Sequence, residues 1–400
     1  MLISLAGCLY VMVQVLDSTF REGEQCPGVF FERHAKHAIA SMLDDAGVGI
    51  IEAGHPAASP EAFDSVRHLS GLGLDAKIGA HSRSMQSDVD SAIESGAGFL
   101  GIFFCVSEER LSSVFKIQLG EALQRIAESV SYAKQKNPSI IVRFTPEDTV
   151  RSQFANVLSA SEAALEAGAD IISVADTTGF MIPGTEKSMF NYVSRLKSSL
   201  AEKGFSPKIE AHCHNDRGFA LANAIDAYRA GAEIIDASVL GIGERAGITD
   251  LAQLLAVLSV DFGEKFNLKS LPGLYSAVSE CSGVKIPEHF PLVGKNSFTH
   301  CAGIHTNAAR INPAHYESLS PELFGRERTV ALGHMSGISS IKWALEKNGI
   351  FAPEELLPEI LESVKNSGKK GRTVGIEEFR QIVEMQKGKS MLFQEKAALM

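Results

Sequence analysis

Along the first two thirds of the chain, short uninterrupted apolar runs alternate with longer stretches of helical periodicity. Runs at 12–17, 49–53, 76–81, 99–105, 140–144, 171–175, 208–214 and 233–239 are short and almost continuously apolar, which predicts buried parallel strands. Four of them follow the same phrase: Ala46-Gly47-Val48, Ser95-Gly96-Ala97, Ala167-Gly168-Ala169 and Ala230-Gly231-Ala232. Glycine at a helix end takes the left-handed conformation that stops the helix, and a strand follows. Eight such βα units predict an α/β fold closed into a (β/α)8 TIM barrel, which typically needs roughly 250 residues. A doubly wound open sheet is the alternative, but no Gly-x-Gly-x-x-Gly follows the first strand. The expected organisation is a barrel over 1–268 and a smaller, mainly helical lid and dimerisation region over 269–400, with helices at 274–282, 339–347, 353–364 and 376–386.

A barrel of this type builds its active site at the C-terminal ends of its strands. Asp17, Arg21 and Glu22 end the first strand, Glu52 the second, and His81 and Arg83 the third. Arg143, Thr145 and Glu147 follow the fifth, Asp176 and Thr177 the sixth, and His212 and His214 close the seventh. Histidines at i and i+2 of a strand project from one face, so both imidazoles can reach one cation. A carboxylate from another strand would complete a ligand set that leaves positions open for a substrate's oxygens. His-x-His also occurs as a structural pair and Arg-Glu as a surface ion pair; their shared place at strand ends is what points to a mononuclear metal site.

Composition narrows the partners. The chain has 400 residues, 45% hydrophobic and 22% charged, with a formal net charge of −10, which argues against a nucleic-acid surface and for small-molecule partners. Six cysteines without metal-type spacing predict a reducing, cytoplasmic setting and no disulfides. The apolar stretch Met1 to Tyr10 contains Leu5-Ala6-Gly7-Cys8 and superficially resembles a lipoprotein cleavage site, but no basic residue precedes it and it is too short to span a bilayer; Met12 is a candidate start. No other stretch approaches the ~18 apolar residues of a membrane span.

Four motifs in order carry a family resemblance. They are Asp17-Ser18-Thr19-Phe20-Arg21-Glu22-Gly23-Glu24-Gln25, His212-Cys213-His214-Asn215-Asp216, Gly241-Ile242-Gly243-Glu244-Arg245-Ala246-Gly247, and His300-Cys301-Ala302-Gly303-Ile304-His305. The chain resembles the acyl-CoA-condensing branch of the DRE-TIM metallolyase superfamily, which includes homocitrate, 2-isopropylmalate and citramalate synthases. The resemblance implies that Glu22, His212 and His214 hold a divalent cation (Zn, Mg or Mn), that the substrates are acetyl-CoA and a 2-oxo acid, and that Arg21 stabilises the developing alkoxide. It also implies a homodimer in which a histidine and a tyrosine of the C-terminal segment reach the partner's barrel; His305 and Tyr316 fall in that stretch. His305 is the leading candidate for the base, and Glu147 competes with it.

His81 and Arg143 resemble the pair with which homocitrate synthases bind the second carboxylate of 2-oxoglutarate, so 2-oxoglutarate is the expected acid, with Thr145, Thr177 and Glu52 as further substrate-binding candidates. A barrel-facing arginine without an anionic ligand would be poorly compensated. The alternative is that Arg143 pairs internally with Glu147 or Glu52. Glu52-Ala53-Gly54-His55-Pro56 is closer to the isopropylmalate type, Ala246 stands where asparagine is common, and Gly333-His334-Met335 lacks a basic residue. These departures leave open a phosphonate-bearing, branched or aromatic 2-oxo acid, as in isopropylmalate or phosphonomethylmalate synthases, and a carbon–carbon lyase of the same superfamily. The basic stretch 365–372 is read as a solvated charge run, with CoA phosphates as its alternative partner.

Overall fold

In the computed structural model, which describes residues 13–398, eight parallel strands close into a barrel, with β1 pairing both β2 and β8. They are β1 (Gln14–Asp17), β2 (Ile50–Glu52), β3 (Lys77–Arg83), β4 (Phe99–Cys105), β5 (Ile141–Glu147), β6 (Ile171–Asp176), β7 (Lys208–Cys213) and β8 (Ile234–Ala237). The expected TIM barrel is the observed fold. β5 runs past its expected end at 144 because its ladder with β4 continues to the pair Cys105 and Glu147. Met12 and the stretch from Met1 to Tyr10, with Cys8, lie outside the described residues. The repeated glycines are helix stops: Gly47, Gly96, Gly168 and Gly231 have φ of 91°, 84°, 106° and 91°.

The barrel interior is layered. Leu16, Ile50, Phe99, Ile171 and Ile234 form an apolar floor, and the Arg143 guanidinium lies 5.6 Å from the centre of the Phe99 ring. The charged residues Arg21, Glu22, Glu52, Arg143 and Glu210 are buried or nearly so, so the burial that closes the barrel also desolvates them.

Contacts divide the chain into compact units Met1–Ile286 and Pro287–Met400, so the division falls after Ile286 and not at the expected 268. The physical reason is the helix Leu271–Ser282, which packs on the helix Arg33–Ala46. Its Tyr275 hydroxyl donates to Asp250 at 2.7 Å, fastening it to the barrel unit.

The second unit holds the helices Gly303–Ile311, Ile338–Lys347, Leu357–Gly368 and Ile376–Ala398 around a core that includes Ile341, Ile360, Val364, Phe379 and Val383. It also contains a two-stranded parallel sheet, Thr299–His300 with Thr329–Val330, which sequence reasoning missed because two-residue strands carry no periodicity. In the basic stretch, Arg372 is paired with Glu378. Among the described residues, no helix is long and apolar enough to cross a membrane, and Cys26, Cys105, Cys213, Cys281 and Cys301 are free thiols.

Candidate active site

β1 ends in a buried turn that aims two side chains at the barrel mouth. Asp17 accepts from the Thr19 amide at 3.0 Å and the Thr19 hydroxyl at 2.8 Å, and Ser18 Oγ donates to Asp236 Oδ1 at 2.6 Å. The Ser18 carbonyl accepts from the amides of Arg21 and Glu22 at 3.0 and 2.7 Å, so these two residues are locked to the strand end. Asp17 is thereby a turn residue, its carboxyl pushed up to about 7 by burial.

Glu22 meets the two histidines of β7. One donor atom of each of Glu22, His212 and His214 lies within 4.8 Å of the others, and all three are buried. The Nε2 atoms of His212 and His214 are 3.1 Å apart, and His214 Nε2 is 4.0 Å from Glu22 Oε1. His212 Nδ1 is 2.5 Å from Asp236 Oδ2, which sets the tautomer that leaves Nε2 as a lone-pair donor. Burial opposes the charged form of His212, but the Asp236 carboxylate outweighs it and raises its pKa; burial and the neighbouring His212 push His214 down to about 3. Burial would raise Glu22, yet Arg21 and the histidines hold it down at about 2. Three converging donors with an ionised carboxylate and a carboxylate-backed imidazole fit a divalent cation.

Beside these donors lies a buried charge network. Arg21 Nη1 donates to Glu22 and Arg21 Nε to Glu52 Oε2 at 2.5 Å. Glu52 Oε1 accepts from Arg143 Nη2 at 2.8 Å, and Arg143 Nη1 is shared between both oxygens of Glu210 at 2.9 and 3.0 Å. The internal pairing of Arg143 with Glu52, weighed as the alternative, is present, and Glu210 is a second counter-charge that sequence reasoning did not name. Glu147, the other internal partner considered, pairs with Arg110 at 2.8 Å instead. Four carboxylates (Glu22, Glu52, Glu210, Asp236) face two guanidiniums (Arg21, Arg143), and this excess of negative charge is of the sign a bound cation would neutralise. Burial pushes Glu210 up to about 7 against the pull of Arg143, whereas Glu52, though buried, is held well below the usual range by Arg21 and Arg143.

These groups open on a cavity of about 340 Å³ lined by, among others, Arg21, Glu22, His81, Arg143, Thr145 and Thr177. His81 stacks on Phe103 at 4.6 Å and lies 3.3 Å from Glu52 Oε1 through Nδ1; burial pushes it down to about 4. Thr145 Oγ1, Ser173 Oγ and Arg143 Nε are buried with no hydrogen-bond partner within the protein, and all three residues line this cavity. Buried polar atoms left open in this way are expected where a ligand supplies the partner. Thr177 Oγ1 accepts from the Asp148 amide at 3.1 Å. Glu147 also lines the cavity.

His305 and Tyr316 belong to the second unit. His305 is exposed on the helix Gly303–Ile311, and its ring stacks on Tyr316 with centroids 4.0 Å apart. Sequence reasoning missed Glu210, Asp236 and Ser173. The signal for Glu210 was present, since Glu210, His212 and His214 alternate along one strand and must share a face. Asp236 and Ser173 had no such mark.

Residues 12–276 match the HMGL-like family model, and residues 292–372 match the model described as homocitrate synthase post-HMGL domain-like. The chain is 43% identical over 354 residues to the homocitrate synthase of Pyrococcus horikoshii, covering 88% of this chain and 95% of that protein, with the same figures for Pyrococcus abyssi. It is 38% identical over 362 residues to the homocitrate synthase of Saccharolobus islandicus, covering 89% of this chain and 77% of that protein. Among solved structures, the HMG-CoA lyase of Bacillus subtilis superposes with a TM-score of 0.58 at 22% identity, over 69% of this chain and 95% of the lyase. An HMG-CoA lyase from Acinetobacter baumannii, solved with coenzyme A and 3-methylmalate, superposes with the same TM-score and identity, over 69% of this chain and 93% of that one. At that identity the likeness bears on the fold. With one family model spanning the barrel, another the segment after it, and relatives alike over most of their length, the chain belongs to the HMGL-like family, in its homocitrate synthase branch.

Proposed function

We propose that this protein condenses acetyl-CoA with 2-oxoglutarate to give homocitrate and free CoA. The observation that carries this reading is the convergence of Glu22, His212 and His214 beside a cavity that His81 and Arg143 also line. A divalent ion (Zn, Mg or Mn) held by those three residues supplies a Lewis acid for the 2-oxo group. Arg21, anchored between Glu22 and Glu52, stabilises the negative charge that develops on the former keto oxygen. Thr145 Oγ1 and Ser173 Oγ supply unused hydrogen-bonding capacity for substrate oxygens.

A base removes a proton from the acetyl methyl group, and the released electron pair forms the new bond to the keto carbon. His305 fills that role, with Tyr316 stacked on it. Glu147, the competing base, is engaged by Arg110, which favours His305. Water then cleaves the thioester, releasing CoA and making the reaction irreversible. The protein acts as a homodimer on this reading. A carbon–carbon lyase is disfavoured because residues 292–372 match the segment of homocitrate synthases that follows the HMGL domain.

The test is thiol release from acetyl-CoA by purified, metal-loaded protein, with 2-oxoglutarate, 2-oxoisovalerate, pyruvate, phenylpyruvate and phosphonopyruvate supplied in turn. The expected result is release that requires a 2-oxo acid and is fastest with 2-oxoglutarate. Preference for phosphonopyruvate would change the substrate but keep the condensation, and no release with any acid would sink the reading.

A further inference from the structure

The loop after β8, residues 241–247, lies against the Glu22 side chain. The Glu244 amide donates to Glu22 Oε1 at 3.1 Å, the oxygen that also lies 4.0 Å from His214 Nε2. Gly243 comes so close that a Cβ built on it would lie 2.9 Å from Glu22 Cγ. Arg21 holds the other carboxylate oxygen, Oε2. Each oxygen of this candidate ligand therefore has a donor, and the donor on the histidine side is backbone. Hydrogen bonds to a ligating carboxylate fix its orientation toward the metal. An amide does so only as firmly as its loop is held.

Arg245 anchors that loop. Its Nε donates to Asp216 Oδ1 at 2.7 Å, and its Nη2 donates to Asp216 Oδ2 at 3.0 Å and to the Thr177 carbonyl at 2.6 Å. One side chain thus ties the loop to the segments that follow β6 and β7. Its backbone has φ of 56°, in the left-handed region where glycine is the unstrained choice. Glycine would serve a turn alone, whereas the arginine accepts that strain and adds an anchor. At the loop's other end the Ser238 hydroxyl donates to the Ile242 carbonyl at 2.8 Å. The Glu244 amide lies between these two anchors.

We propose that Arg245 is a positioning residue for the metal site: by pinning the loop to Asp216 and Thr177 it aims the Glu244 amide at Glu22, and so fixes the orientation in which that carboxylate meets the cation. The inference rests on the reading of Glu22, His212 and His214 as the ligand set and adds a residue outside it. Asp216 is the counterpart of Arg245 on the β7 side.

The test is the affinity for Zn(II), measured by competition with a chelator, of the unaltered protein, Arg245→Ala, Arg245→Gly, Glu22→Ala and the double variant Arg245→Ala with Glu22→Ala. Imidazole suits Zn(II), so the histidine pair still reports binding when Glu22 is removed. Arg245→Ala should weaken Zn(II) about 10-fold or more. Arg245→Gly should weaken it likewise, although glycine relaxes the backbone at φ of 56°. In the Glu22→Ala background the change Arg245→Ala should alter affinity less than about 2-fold, since the carboxylate it acts through is absent. No loss in Arg245→Ala, an equal loss in both backgrounds, or full affinity in Arg245→Gly would overturn the inference, because a merely structural role does not depend on Glu22. The underlying reading fails separately, if Glu22→Ala by itself leaves Zn(II) affinity unchanged. Should Arg245→Ala fail to fold, Asp216→Ala carries the same comparison.

Discussion

Gly101 of β4 leaves the space that the Arg143 guanidinium of β5 occupies: a Cβ built on Gly101 would lie 2.9 Å from Arg143 Cζ. The two residues are register partners. A side chain at 101 and an arginine at 143 cannot both keep these places, so the glycine is part of the site. Gly101→Ala is expected to displace Arg143, to lower stability by ~1–3 kcal/mol through overpacking, and to raise KM for the 2-oxo acid while leaving metal content unchanged. Steady-state kinetics with metal analysis checks it, and an unaltered KM would show that the guanidinium can move without consequence.

Arg143 sits between Glu52 and Glu210 with 2% of its surface exposed. Removing it leaves Glu210 buried without its cation and Glu52 with Arg21 alone. Arg143→Ala should therefore lose about 3–5 kcal/mol of stability in addition to its effect on KM. The double variant Arg143→Met with Glu210→Gln should recover part of that stability and none of the activity. Denaturant unfolding decides the first part, and a double variant no more stable than Arg143→Ala would show that Glu210 is not the unpaired group.

His212 depends on Asp236 for its tautomer. His212→Ala is expected to abolish bound metal and turnover together. Asp236→Asn should keep the fold and lower metal affinity about 10- to 100-fold, the usual loss when a ligand histidine loses its carboxylate. Metal content after dialysis against graded free metal measures both. Full occupancy in His212→Ala would refute its place among the ligands.

Stability should carry a pH signature from the joint between the barrel and the helix Leu271–Ser282. Burial pushes Asp250 up to about 6 from its ordinary 3.8, although it accepts from the Gln253 amide and the Tyr275 hydroxyl. The folded state then binds the proton more tightly than the unfolded chain does. The stabilisation is fully present below about 4 and is lost as pH rises through about 6, a change of ~3 kcal/mol at about 1.4 kcal/mol per pKa unit. Asp250→Asn cannot titrate, so the stability of the unaltered protein relative to this variant should fall across that interval and be flat above pH 7. A difference independent of pH would remove Asp250 from the account.

The Glu210 carboxylate illustrates where sequence reading stopped. Its place on the inward face of β7 follows from the alternation with His212 and His214, but its partner Arg143 lies 67 residues earlier on β5, two strands away in the barrel. Asp236 had no motif at all, because an aspartate in an apolar run reads as an interruption until β8 is set beside β1 and β7. The competing roles of Glu147 were separated by Arg110, which precedes it by 37 residues. Ion-pair partners are chosen by distance in space, and period-two or helical patterns carry no information about it.

What the sequence by itself determined is the repeat. Apolar runs bounded by helix-stopping glycines can bury both faces only as parallel strands covered by helices, and eight of them close into a barrel with Arg21, Glu22, His212 and His214 at the strand ends. Local pattern suffices there because strand direction and side-chain alternation are properties of consecutive residues. The tertiary structure alone decided that Glu52 and Glu210 neutralise Arg143, that Asp236 backs His212, and that the first unit extends to Ile286. The charge pairs depend on assembling the barrel, which brings distant segments within hydrogen-bonding reach and removes the water that would otherwise satisfy their charges, and the extent of the first unit depends on the packing of the helix Leu271–Ser282.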